Sequence, residues 1–146
     1  MTLIAFDADV LIYAGVDNHA LGSRVRDLFE GPGVTSVGIG SILLLTEVLA
    51  KPMRADPASE ETATLLGLLS RLDLLPLDDA TGRLALAMAV QYGLRAADAA
   101  HLATAVAGGA EFFLTNNRRD FPTSITEIDV IHPEDLPEPQ MSPSTR

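Results

Sequence analysis

Four acidic residues, Asp7, Glu47, Asp98 and Asp120, each end or flank an apolar segment of this 146-residue chain. Asp7 closes the run Leu3-Ile4-Ala5-Phe6 and is followed closely by Asp9. Glu47 rides Leu43-Leu44-Leu45-Thr46-Glu47-Val48-Leu49, Asp98 lies in Ala96-Ala97-Asp98-Ala99-Ala100-His101-Leu102, and Asp120 follows Thr115-Asn116-Asn117-Arg118-Arg119. Carboxylates beside apolar segments are costly unless something pairs with them. A hard divalent cation is the natural partner for carboxylate oxygens. One or two Mg²⁺ or Mn²⁺ ions held this way make a water nucleophilic at neutral pH and stabilise charge on two phosphodiester oxygens. Without the ion such carboxylates repel, one of them holds its proton more tightly, and metal affinity falls with pH.

The elements that must position these acids alternate between short apolar strands and amphipathic helices. Thr2 to Phe6 reads as a buried strand, Val10 to Tyr13 as the start of a helix, and Leu21, Val25, Leu28 and Phe29 as one face of the next. Gly31-Pro32-Gly33 stops that helix, and Val34 to Val37 reads as the second strand. Ser41 is placed to cap the helix carrying Leu44, Glu47 and Val48, with Lys51-Pro52 ending it. Asp56-Pro57 is expected to open a helix with Leu65, Leu68, Leu69 and Leu72 at helical spacing. Leu74 to Leu77 reads as a strand, and Asp78 or Asp79 as the cap of a helix that Gly93 ends. Ala96 to Ala107 is a helix, and Glu111 to Leu114 and Ile125 to Ile131 are strands. This alternation predicts an α/β fold around a mostly parallel sheet, with sites beyond the C-terminal strand ends. Beyond residue 133 the prolines Pro137, Pro139 and Pro143 mark residues 134–146 as a flexible tail on a domain of residues 1–133.

Composition narrows the chemistry. Cysteine is absent, which excludes disulfides, thiolate zinc sites and cysteine nucleophiles. The N-terminus lacks a basic region, and no apolar stretch approaches the roughly 18 residues of a membrane span. A cytoplasmic protein without a membrane partner is the expectation. The formal charge of -10 argues against a nucleic-acid partner unless cations fill the acidic site, and it suits a positively charged protein partner.

Four segments together resemble a PIN domain of the kind found in VapC-type toxin ribonucleases. They are Phe6-Asp7-Ala8-Asp9-Val10-Leu11-Ile12-Tyr13-Ala14, Ser41 to Leu49, Ala97 to Ala105, and Phe113 to Phe121. The resemblance implies a three-layer α/β/α fold, Mg²⁺- or Mn²⁺-dependent cleavage of RNA, a homodimer and a small cognate antitoxin protein. It also implies that Asp7, Glu47 and Asp98 are the first three catalytic and metal-binding acids. The fourth position is open between Asp120 and Asn117, because Asn117 stands where a common version of the family has Asp. Asp120 is assigned to it, with Asn117 as a neutral or water-mediated ligand. Asp9 stands where the family often has Asn or Ser, and Thr115 is placed to hydrogen-bond Asp7 or a bound water. Arg95, Arg118 and Arg119 are the candidates to hold RNA phosphates.

Each acid also has a purely structural reading. Asp7 is an ordinary N-cap, Glu47 pairs with Lys51 at i,i+4, Asp98 favours a helix dipole beside Arg95, and Asp120 makes a turn. His101 reads as packed or hydrogen-bonded on its helix rather than catalytic. Two other functions of the same fold stay in view: a housekeeping RNA-processing nuclease, and a binding module with an impaired metal site. A dehalogenase-type phosphatase, suggested by Phe6-Asp7-Ala8-Asp9 alone, lacks a matching lysine and a later Gly-Asp-x-x-x-Asp motif.

Overall fold

The computed structural model describes residues 2–16, 19–30 and 36–137. Five strands, β1 (Ile4–Phe6), β2 (Gly38–Ser41), β3 (Leu72–Leu75), β4 (Phe112–Leu114) and β5 (Asp129–Ile131), form one sheet in the order β3-β2-β1-β4-β5. Every pairing is parallel. A parallel sheet needs both faces covered, and its strands then read as continuous apolar runs. Successive residues of β1 show the two faces. Phe6 packs with Val10, Leu11, Val25, Leu44, Val48 and Leu65, whereas Ala5 packs with Met88, Leu102, Ala103 and Phe113.

The helices divide accordingly. On the Phe6 face lie α1 (Ala8–Ala14), α2 (Ala20–Asp27), α3 (Leu44–Ala55) and α4 (Glu60–Leu69); on the Ala5 face lie α5 (Asp79–Tyr92) and α6 (Ala96–Ala107). The result is the expected three-layer α/β/α fold. Among the described residues no helix is long and apolar enough to cross a membrane.

Several expected boundaries moved, each for a local reason. The second strand begins at Gly38, after the expected Val34 to Val37, of which residues 34–35 lie outside the described residues. Gly38 is needed there because a Cβ would stand 2.3 Å from the Ile4 carbonyl oxygen. Ser41 caps less directly than expected: its Oγ accepts the Leu43 N–H at 3.1 Å, and the helix starts at Leu44. Pro52 does not end α3, which runs to Ala55, although its ring nitrogen has no N–H to donate to the Val48 carbonyl one turn back. The next helix opens from Ser59, whose Oγ accepts the Thr62 N–H, while Asp56 spends its carboxylate on the Ala58 N–H.

The chain is still packed past Pro133. A 3-10 turn at Pro133–Asp135 follows β5, and Leu136 is buried in the Phe6-face core. Arg24 on α2 donates from Nη1 to the carbonyl oxygens of Glu134 at 3.0 Å and Leu136 at 3.1 Å. Residues 138–146, most of the expected tail, lie outside the described residues.

Candidate functional site

Chain order places a topological switch between β1 and β4: the chain moves from β1 outward to β2 and β3, then returns to add β4 and β5 on the other side. Crevices at such switch points, beyond the strand C-termini, are where open α/β sheets bind ligands. Asp7 follows β1 directly, and Thr115 follows β4. The ladder continues one step past both strands, with Asp7 N–H donating to the Leu114 carbonyl and Thr115 N–H to that of Ile131.

Asp7 is 5% exposed. Its Oδ1 accepts the Ala8 N–H at 2.8 Å, making it the N-cap of α1, and its Oδ2 accepts the Thr115 hydroxyl at 2.7 Å. Burial nevertheless pushes its carboxyl above the usual range, against the pull of the Thr115 hydroxyl and His101. Asp9, one residue into α1, accepts the Asn116 N–H on both oxygens, at 3.3 and 3.2 Å. Burial, then the charge of Asp7, push its carboxyl up to about 7.

Asp98 stands in the first turn of α6, where the helix dipole favours its charge. Burial and the neighbouring Asp7 and Asp120 outweigh that and raise its pKa. Glu47, on α3, is within electrostatic reach of both Asp7 and Asp98. Its Oε1 meets His101 Nε2 at 2.9 Å, so its partner is a buried histidine of α6 and not Lys51. The loop after β4 orders Asp120 through Asn117: the Asn117 side-chain N–H donates to Asp120 Oδ2 at 2.9 Å, and the Asp120 N–H donates to Asn117 Oδ1 at 3.1 Å. Asp120 and Asn117 thus work as a pair, with Asp120 the member whose charge is felt at Asp98.

The structure therefore gathers Asp7, Asp9, Glu47, Asp98 and Asp120 around one end of the sheet, with Thr115 and Asn117 as their donors. The arginines are less uniform. Arg95 and Arg119 are exposed, and Arg118 pairs with Glu134. Among the described residues no ion pair joins Arg95 to Asp98. Two groups escaped sequence reasoning in these roles, the backbone N–H of Asn116 and the ring of His101. Both act on acids more than 50 residues away, so nothing local signals them.

Hard carboxylate oxygens, with burial and neighbouring charge raising the proton affinity of Asp7, Asp9 and Asp98, fit a divalent cation in kind. Among the described residues no three His, Asp or Glu side chains already stand at ligating distances. Hydrogen bonds hold most of them instead: Ala8 and Thr115 on Asp7, Asn116 on Asp9, His101 on Glu47, and Asn117 on Asp120.

Fold and site together define an α/β protein with an acidic centre at its switch point. The sequence matches the PIN domain over residues 4–123, and the chain belongs to that family. PIN domains are in general nucleases. The fold is also similar to that of a chain in a solved structure described as a toxin-antitoxin complex from Klebsiella pneumoniae. The TM-score is 0.68 at 23% sequence identity, over 89% of this chain and 97% of the other. No curated protein matches the sequence.

Proposed function

We propose that the protein is a Mg²⁺- or Mn²⁺-dependent endoribonuclease and the toxin of a toxin–antitoxin pair. The observation that carries the nuclease reading is the group of acids around Asp7, in which burial and neighbouring charge push Asp7, Asp9 and Asp98 up, in a chain of a nuclease family. Asp7 and Asp98 would hold the principal ion, Glu47 would complete the site or orient the attacking water, and Asp120 would act through a second ion or a water. When bound, the metal supplies a nucleophilic water at neutral pH and charge stabilisation on the phosphate.

The chain's own groups do the rest. The Thr115 hydroxyl and Ala8 N–H fix the Asp7 carboxylate from behind, so its orientation costs little when the site fills. Asn117 does the same for Asp120. Arg95 and Arg119, exposed near the site, would hold RNA phosphates, with Arg118 joining them on leaving Glu134. In-line hydrolysis would leave a 5′-phosphate and a 3′-hydroxyl.

The toxin role draws on the likeness to a chain of the Klebsiella pneumoniae toxin-antitoxin complex, and the family resemblance adds a small antitoxin protein and a homodimer as proposed partners. The formal charge of -10 suits a positively charged protein partner. The test is cleavage of structured RNA by purified protein with Mg²⁺ or Mn²⁺. Wild type should cut and Asp7→Asn should not. Expression in cells should arrest growth only with the wild-type chain. Identical behaviour of the two proteins in both assays would sink the proposal.

A further inference from the structure

His101 is the least explained buried group near the site. Its side chain is 1% exposed, whereas that of its partner Glu47 is 35% exposed. Nε2 lies 2.9 Å from Glu47 Oε1, and Nδ1 is buried with no hydrogen-bond partner among the described residues. A carboxylate accepts, so Nε2 carries the proton in this contact, and the other ring nitrogen is left unsatisfied. A half-satisfied buried ring stabilises a core less than a leucine of similar size would. Packing alone gives no reason for a histidine here.

Position supplies the reason. Glu47 projects from α3, in the helix layer on the Phe6 face, and His101 from α6, in the layer on the Ala5 face. The bond links the two layers across 54 residues of sequence. Glutamate on an exposed helix surface samples several rotamers, and ordering it costs entropy. His101 is itself locked by close packing and lies within electrostatic reach of Asp7 and Asp98, the acids that Glu47 must join. We infer that His101 is a positioning residue: its Nε2–H holds one oxygen of Glu47, leaving the other free, and keeps the carboxylate beside Asp7 and Asp98 ready for a divalent ion. The inference rests on the metal-dependent reading proposed above.

Its test is Mn²⁺ binding to the folded, metal-free protein by calorimetry, with melting followed in parallel. Removing a group that orients a metal-binding side chain typically weakens affinity about 10- to 100-fold. His101→Asn, too short to reach Glu47, should bind Mn²⁺ about tenfold more weakly than wild type. His101→Gln, whose amide nitrogen can extend toward the Nε2 position, should recover most of that loss. In a Glu47→Gln background, His101→Asn should weaken binding no further. A merely structural histidine would lower the melting temperature of both variants and leave Mn²⁺ affinity at the wild-type value, and that result would overturn the inference. Glu47→Asp draws the carboxylate back from an intact His101 and covers the case in which His101→Asn fails to fold. It too should lose about tenfold, and wild-type affinity there overturns the inference equally. If wild type binds Mn²⁺ no better than Asp7→Asn, the proposed metal site falls and this inference with it.

Discussion

Asp7 and Asp78 do the same local job and differ in nearly everything else. Each follows a strand closely and caps the helix that comes next, Asp7 through the Ala8 N–H and Asp78 through the Thr81 N–H. Asp78 is exposed, and its hydrogen bonds with Thr81 pull its carboxyl below the usual range. Asp7 is buried among other acids, and its carboxyl is pushed up despite two good donors. One motif, strand–Asp–helix, is an ordinary cap at Asp78 and the centre of a charged cluster at Asp7. Burial and company make the difference.

The largest effect that would sharpen this contrast is on activity. Asp7→Asn keeps the cap geometry but removes a charge, and we expect RNA cleavage to fall by more than about a hundredfold, beyond the loss usual for groups that only orient a metal ligand. Asp78→Asn should cleave like wild type. Equal losses in the two variants, measured as initial rates, would break the comparison.

Stability against pH comes next. Unfolded Asp9 loses its proton near 3.8 and folded Asp9 near 7, so between these values the folded state binds more protons. As far as Asp9 decides, stability is greatest below about pH 4, declines as pH rises, and levels off above about pH 7, by on the order of 4 kcal/mol in total. Asp78 runs the opposite way, its contribution present at neutral pH and lost on acidification. Denaturant titrations of metal-free protein from pH 5 to 8 should show the decline, and Asp9→Asn should flatten it. A slope that survives Asp9→Asn would place the titration on another group. Filling the site reverses the order: Mn²⁺ should raise the melting temperature at pH 8 more than at pH 5.5, because binding displaces protons.

Two smaller effects complete the series. Thr115→Val removes the hydroxyl from buried Asp7 and should cost about 1–3 kcal/mol at pH 8, less at pH 5 where the carboxyl is nearer neutral. A pH-independent loss in paired melts would reduce the hydroxyl to packing. Asp78→Ala should lower the melting temperature by only roughly 2–4 °C and leave cleavage untouched.

The outline of this site is legible in the sequence because each acid abuts an apolar segment whose period is clear. The α6 boundaries at Ala96 and Ala107, the Asp78 cap and the left-handed Gly93 follow from the same local signals. What escaped was non-local. The second strand was expected over Val34 to Val37, yet the sheet takes in Gly38, whose missing Cβ lets β2 lie close to the Ile4 carbonyl. Glu47 has a lysine four residues on and instead finds His101 in another layer. The choice between Asn117 and Asp120 stays open on spacing alone, because the two bond each other.

The central place of β1 in the sheet has a consequence for synthesis. Asp7 needs Thr115 and the Leu114 carbonyl, the first of these partners 108 residues later in the chain. At roughly 5–20 residues per second, a ribosome makes the first strand about 5–20 seconds before its neighbour β4 exists. Until then the nascent chain holds Asp7 and Asp9 without the Thr115 hydroxyl and the Asn116 N–H that order them. A polypeptide arrested at residue 110 would carry the first acids of the cluster and none of the strand that closes it.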